Sequence, residues 1–434
     1  MWIIEALDVL GLQGGGGEPF ARFLNSLIRA HAYVLRIPDT QISTTVRTNI
    51  ADGGVDTAIH AAAPNDTTGR VAVCTAWQFK ATSYREVSDQ DLRKEIGKSY
   101  AGELIKKGYG YRFCICDDPP DRKKADWEAI LTTESRRFNI GAPTAQVLTA
   151  SDLAVWASRF PAIAGNIFNR PMGIARHWGA WETSETQFTP EYSLPEGWGP
   201  HLSAIQGHIN FNIEAADSIL TIQGAAGVGK TRLVFEAVRQ TPNASQLMIL
   251  TDDDEQAVEV ARWLVNHGAM SAILIADECP VEGREKLRKI LRGSESRIRT
   301  VAIDNTGEPT PGGAPGIWLD KIDVRSVEEI LKLNYGAILS ERLAYAVLSA
   351  GYVRLAADLC RHDQQMYSAG TIGPAILHLD EYYRSRLSDD ERRVVEAVSL
   401  LQRVGCDEDV VEELNQLSPL PVSIPRPCAT RLSA

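Results

Sequence analysis

The sequence predicts an α/β fold built from more than one unit, on three observations. Between about residues 201 and 322, apolar strands alternate with helices in a regular rhythm, which is the pattern of a mostly parallel sheet. Between about residues 18 and 170, amphipathic helices alternate with shorter strand-like pieces, which suggests an α/β sandwich. The chain has 434 residues, enough for two or three domains that each bury their own core.

Composition narrows the class. Hydrophobic residues make up 44% of the chain and charged residues 23%, as in ordinary globular protein. No apolar run reaches the roughly 20 residues of a membrane-spanning helix. The start, MWIIEALDVLGLQGGGG, carries Glu5 and Asp8 and has no basic opening, so a secretory signal is not expected. Together these predict a cytoplasmic protein. The seven cysteines are dispersed except for Cys114 and Cys116, whose spacing fits neither a zinc knuckle nor a redox pair; buried thiols are expected. The eight histidines form no ligand pair at helical or finger spacing.

A net charge of −11 argues against a nucleic-acid binder, but the charge is unevenly spread. Residues 1–170 hold 20 Lys+Arg against 19 Asp+Glu, and the remainder 25 against 37. The first third can therefore carry a local basic surface while the rest stays acidic.

The elements follow in order. Residues 1–17 are expected to carry little structure, because of the Gly run. The first unit, 18–170, opens with a helix in PFARFLNSLIRAHAYVL, whose Phe20, Leu24, Leu27 and Ile28 share a face. Strands are expected around Val55–Ile59, Val71–Phe79 and Tyr111–Cys116, with one basic amphipathic helix, DQDLRKEIGKSYAGELIKKG, before the last. A Trp-, Pro- and Gly-rich stretch makes 171–200 a linker. The unit at 201–322 has strands in SILTIQ, SQLMIL, SAILIAD, RTVAID and IWLDKI. Residues 323–385 read as a helical lid, and 386–434 as a partial winged helix with a Pro-rich tail. No internal repeat of about 20–50 residues is present.

The strongest motif is GAAGVGKT, a P-loop pattern lying directly after one strand and before one helix. Gly224, Gly227 and Gly229 let backbone N–H groups turn inward around phosphates, and the helix N-terminus adds its positive dipole end. Lys230 is placed to reach the outer phosphates and Thr231 to bind Mg²⁺. Downstream, SAILIADEC ends a buried strand with Asp277, placed to hold Mg²⁺, and Glu278, placed to polarise an attacking water. A further strand ends in Asp304-Asn305-Thr306, whose polar tips could sense a γ-phosphate.

From Gly224 onward the chain resembles the STAND branch of the AAA-like P-loop NTPases, through GAAGVGKTRL, ILIADE, TVAID and AGYVRLAADLC. Val353 stands where that family's lid motif has proline, and SLLQRVG resembles the entry to a winged helix. The resemblance implies ATP as the ligand and a nucleotide-gated switch that assembles into oligomers.

The second motif is shorter. The strand VAVCTAWQFK is apolar until Gln78 and Lys80, which on a strand share one face while Trp77 and Phe79 share the other. Upstream, NIADGGVD turns sharply at two glycines and presents Asp56. Asp56, Gln78 and Lys80 can meet at one sheet end, the combination that metal-dependent phosphodiester hydrolysis uses: oxygen ligands for Mg²⁺ and a lysine beside the phosphate. This pattern resembles the Mrr-like branch of the PD-(D/E)xK nucleases, a restriction-endonuclease-like fold in which Gln replaces the middle acid. The resemblance implies Asp56 and Gln78 as metal ligands and Lys80 as the catalytic lysine, with Glu18 or Asp52 as candidates for an additional acid. Arg93, Lys94, Lys98, Lys106 and Lys107 either meet DNA phosphates or form a solvated helix face.

Joined, the two halves resemble the antiviral STAND (Avs) proteins, whose C-terminal repeat sensor is not expected within these 434 residues. That resemblance implies cleavage of double-stranded DNA in antiphage defence, a homo-oligomer (a tetramer in the family) and a phage protein as trigger. A second reading is a nucleotide-switched DNA-binding or signalling scaffold with an inactive nuclease-like unit. A third, a DNA-translocating motor, has no helicase motif to support it.

Overall fold

The computed structural model describes residues 2–360, apart from 15–16, 45–52, 189–190, 212–216, 306–315, 336–338 and 358–359. Two sheets organise these residues. The first has five strands in sequential order: β1 (Ile42–Thr44), β2 (Thr57–Ile59), β3 (Thr75–Lys80), β4 (Gly110–Ile115) and β5 (Gln146–Leu148). β1, β2 and β3 pair antiparallel, whereas β4 and β5 continue parallel to β3.

Helices cover both faces of this sheet. Trp77 and Phe79 point towards α2 (Glu18–Val34) and α6 (Ala150–Ala157), and the Trp77 ring stacks on Trp156 at 5.7 Å. The other face packs Ala76, Tyr111 and Phe113 under α3 (Asp89–Ile96), α4 (Ser99–Lys106) and α5 (Asp121–Phe138). The single basic helix expected here is two, α3 and α4, broken at Gly97-Lys98. The break has a physical reason. A Cβ on Gly54 would lie 2.4 Å from the Glu95 carbonyl oxygen and 3.1 Å from the Lys98 Cβ, so the Gly53-Gly54 turn occupies the space where the helix would run on.

The second sheet has the order β11-β7-β10-β9-β8-β6. Its strands are β6 (Arg176–His177), β7 (Ile219–Gln223), β8 (Met248–Thr251), β9 (Ala272–Ala276), β10 (Ile298–Asp304) and β11 (Gly316–Trp318). All pairs are parallel except β6 with β8. The crossovers from β7 to β8, β8 to β9 and β9 to β10 are helical: α10 (Lys230–Gln240), α11 (Asp254–Asn266) and α12 (Val281–Leu291). β7, β8 and β9 are buried throughout, as a sheet covered on both faces requires.

Two stretches differ from expectation. Residues 1–17 are not without structure: α1 (Ala6–Leu10) forms with a capping box at Glu5 and Asp8, and Trp2, Ile4 and Val9 are buried. Trp2 donates from Nε1 to the Met172 carbonyl (2.9 Å) and meets the Trp263 ring edge-on. The stretch 171–200 is not a plain linker either, since between α7 (Ala162–Phe168) and α9 (Gly199–Ile209) it supplies β6 and α8 (Trp178–Phe188), whose Trp178 stacks on Phe235. The two sheets share one apolar core, which runs from Phe20 and Phe23 of α2 to Leu233 and Phe235 of α10. Polar contacts cross the same boundary: Tyr33 Oη donates to the Ile209 carbonyl, and Asn243 Nδ2 to Asp39.

Helices α13 (Val324–Tyr335) and α14 (Leu339–Leu348) follow the second sheet. The rest of the expected lid beyond 360, and the winged helix and tail at 386–434, lie outside the described residues. Among the described residues no helix is long and apolar enough to cross a membrane.

Candidate functional site

The phosphate loop connects β7 to α10. All three glycines singled out in the sequence take positive φ: Gly224 at 148°, Gly227 at 80° and Gly229 at 105°. At Gly224 the need is also steric, because a Cβ there would come 2.4 Å from the Leu319 carbonyl oxygen. Lys230 opens α10 and folds back over the loop, its Nζ donating to the carbonyls of Gly224 (2.8 Å) and Ala225 (2.7 Å). Its burial pulls the ammonium pKa down to about 8.

Thr231 Oγ1 donates to Asp277 Oδ2 at 3.2 Å. Asp277 stands one residue past β9, beside the loop, as the parallel β7-β10-β9 order places it. Its own Oδ1 accepts the Glu278 N–H at 3.0 Å. Burial raises the Asp277 carboxyl above the usual range. Glu278 is also raised, by desolvation first and then by Asp277, Asp252 and Asp253. Its φ of 45° is uncommon for a residue with a side chain, and such outliers concentrate at functional positions. Gly224, Gly227, Gly229, Lys230, Thr231, Asp277 and Glu278 are thus brought together.

Three residues that the motif does not name complete the surroundings. The Trp198 ring lies 3.5 Å from where a Gly229 Cβ would stand. From the segment after α14, Arg354 N–H donates to the Gly227 carbonyl at 3.2 Å, and Tyr352 flanks the same glycine. The segment bearing Val353 therefore touches the loop.

Asp304 differs from its expected part. Its carboxylate is buried and accepts from Arg284 Nη1, with Gln223 Nε2 at 3.4 Å. An acid neutralised by a buried guanidinium does not offer its tip to a ligand, so the sensing expectation is corrected for this residue; Thr306 lies outside the described residues.

The second cluster lies at the end of β2 and β3. The register pairs Thr57 with Trp77, which sets Asp56 opposite Gln78. Asp56 Oδ2 accepts Gln78 Nε2 at 2.7 Å and the Phe79 N–H at 2.6 Å. Gln78 is buried, while the Lys80 side chain is about a third exposed at 32%. Lys80 shares the face of Gln78 but is not bonded to Asp56; its Nζ meets Glu95 Oε1 at 2.7 Å. Glu95 is a residue the motif reading missed. Its signal in the sequence is an acid in the last turn of a helix otherwise read as basic.

The candidate acids fare differently. Glu18 begins α2 and pairs with Arg22 in solvent, while the preceding Gly17 lies against Ala81 at the end of β3. Asp52 lies outside the described residues. Among the basic residues, Arg93 pairs with Glu134 and Lys98 with Glu95, while Lys94, Lys106 and Lys107 are exposed. Cys114 and Cys116 are buried free thiols, and burial raises both.

No family model matches the sequence, and no curated protein matches it. Among solved structures, the chain is similar to the Aeropyrum pernix ORC1 protein in complex with DNA at 15% identity and a TM-score of 0.38, covering 61% of this chain and 88% of that one. AMPPCP-bound DnaA from Aquifex aeolicus is similar at 13% identity and a TM-score of 0.33, covering 54% and 81%. A STAND protein with a tetratricopeptide repeat sensor from Pyrococcus horikoshii is similar at 14% identity and a TM-score of 0.30, covering 57% of this chain and 40% of that one. The P-loop fold is carried by this chain's own sheet order and loop geometry.

Proposed function

We propose that the chain is an ATP-binding, Mg²⁺-dependent endonuclease of double-stranded DNA, with the P-loop unit as a nucleotide-gated oligomerisation switch. Antiphage defence is the setting its sequence resemblance implies, with a phage protein as trigger. The observation that carries the nuclease reading is the 2.7 Å contact of Gln78 with Asp56, with Lys80 on the same strand face.

The residues fit the metal in a limited way. Among the described residues no group of three or more His, Cys, Asp or Glu side chains converges as a metal cage. Mg²⁺ does not require one, since it is held through one or two carboxylates and keeps much of its water. Asp56 supplies the carboxylate and Gln78 an amide oxygen; at the phosphate loop, Thr231 and Asp277 are the corresponding pair. A bound Mg²⁺ would polarise the phosphoryl oxygen and acidify a bound water. Lys80 would steady the charge that develops on the phosphate, and Lys94, Lys106 and Lys107 would contribute phosphate contacts sensitive to salt.

The test uses purified full-length chain, supercoiled plasmid, Mg²⁺ and ATP, with candidate phage proteins added. Cutting by wild type that is lost in Asp56→Ala, with DNA retention in a gel shift preserved, supports the enzyme. Retention without cutting by wild type under every condition would favour the scaffold reading.

The switch half makes a separate prediction. Phosphate binding uses the Lys230 ammonium, which loses its proton as pH rises through about 8. Affinity for ATP should therefore fall about tenfold between pH 7 and pH 9, as a pH-independent site for an ionised ligand would not. Titration of a fluorescent ATP analogue at several pH values measures this, with Lys230→Ala as the reference lacking the group.

A further inference from the structure

Glu95 stands where helix stability gives it no reason to be. It lies in the last turn of α3, the negative end of the helix dipole, where a carboxylate is disfavoured. It is also largely buried, its side chain 12% exposed, and it holds two cations at once: Lys80 Nζ at 2.7 Å on Oε1 and Lys98 Nζ at 2.5 Å on Oε2. Both lysine partners are about a third exposed, so solvent screens the two pairs and they contribute little to stability.

The local backbone is built to bring Glu95 to the cluster. Gly53 and Gly54 take φ of 63° and 86°, and the Ala101 N–H donates to the Gly53 carbonyl. Tyr111 Oη donates to the Gly54 carbonyl, which holds the same turn from the other side. Because any side chain at 54 would run into the Glu95 carbonyl, the turn can sit against the end of α3 only as glycine. The strand leading to Asp56 and the helix end bearing Glu95 are thereby fixed to each other.

We propose that Glu95 is the positioning carboxylate of this cluster: it holds the Lys80 amine at the strand end beside Asp56 and Gln78, and so acts on phosphodiester cleavage through Lys80. The placement stands on geometry alone, while the effect on cleavage rests on the nuclease reading. Without Glu95 the four-carbon stem of Lys80 samples many rotamers, and the amine spends less time over the site.

Two measurements separate the claims. In the full-length chain, the rate at which an N-hydroxysuccinimide ester acylates Lys80 is read by peptide mass spectrometry, relative to exposed Lys107. Glu95→Gln is expected to raise the relative rate several-fold, whereas Lys98→Met leaves it low because Glu95 still holds Lys80. Equal rates in wild type and Glu95→Gln, or a rise as large in Lys98→Met, overturn the placement. In plasmid cleavage, Glu95→Gln is expected to lower kcat about 10- to 100-fold with KM for DNA unchanged, and Glu95→Asp to recover part of it. Unchanged kcat in an active enzyme overturns the positioning role. Raised acylation together with no cutting by wild type upholds the placement and sinks the nuclease reading.

Discussion

Arg284→Met is expected to destabilise the P-loop unit by about 3–5 kcal/mol, because it leaves a carboxylate in the dry interior without its cation. Arg284 and Asp304 are both fully buried, at 0% and 1% side-chain exposure. Arg284 Nη1 donates to Asp304 Oδ2 and also to the Cys279 carbonyl at 3.0 Å. Its Nε and Nη2 have no hydrogen-bond partner among the described residues, so the guanidinium is held mainly by this one acid. A pair satisfied in that incomplete way contributes little net stability, yet removing one half is severe. The double variant Arg284→Met/Asp304→Leu should therefore recover most of the loss. Urea unfolding of wild type, both single variants and the double variant, followed by circular dichroism, gives the cycle. Single-variant losses below about 1 kcal/mol would mean that the pair is hydrated rather than buried. The consequence extends to the ligand site, since Gln223, which reaches Asp304, is the residue before Gly224.

The two candidate sites were legible in the sequence for different reasons. A P-loop pattern encodes backbone shape, because its glycines stand where φ must be positive, and Gly224, Gly227 and Gly229 all take such values. The Asp56 and Gln78 contact follows from period-two alternation and an antiparallel register, and both are written locally. What the sequence did not show depends on distant partners. β1, β5 and β6 have three, three and two residues and owe their place in the sheets to pairing with strands elsewhere in the chain. Trp2 is buried by Met172 and Trp263, far along the chain, so no window around residue 2 reports it.

Glu95 and Asp304 show the limit more sharply. Glu95 was hidden because a helix rich in Lys and Arg reads as one basic face, and only the Gly53-Gly54 turn packed against it reveals a shared site. Asp304 sits at the end of a strand, where a polar tip is expected to face the ligand, but Arg284 of α12 reaches under it. In both cases the local pattern fixes the position of a charge and a tertiary contact decides its role.

Lys80→Ala is expected to lower the rate of DNA cleavage by about 10²- to 10³-fold, the usual loss when one group that stabilises developing charge is removed. The fold should tolerate it. The Lys80 side chain is about a third exposed, and Glu95 is not orphaned by the change because Lys98 still pairs with its other oxygen. A surface truncation of this kind shifts stability by no more than about 0.5 kcal/mol, so a large loss of rate cannot be attributed to unfolding. Lys80→Arg should not restore activity, since a planar, delocalised guanidinium does not place a compact charge at the same point. Asp56→Ala should remove the carboxylate proposed to hold the metal and give a loss of similar size, and the double variant should be little worse than either alone, as expected of groups that act as one unit. Single-turnover cleavage of supercoiled plasmid with Mg²⁺ measures all four. If Lys80→Ala cuts as fast as wild type, phosphodiester chemistry does not pass through the end of β3, and any nuclease activity of the chain must arise elsewhere.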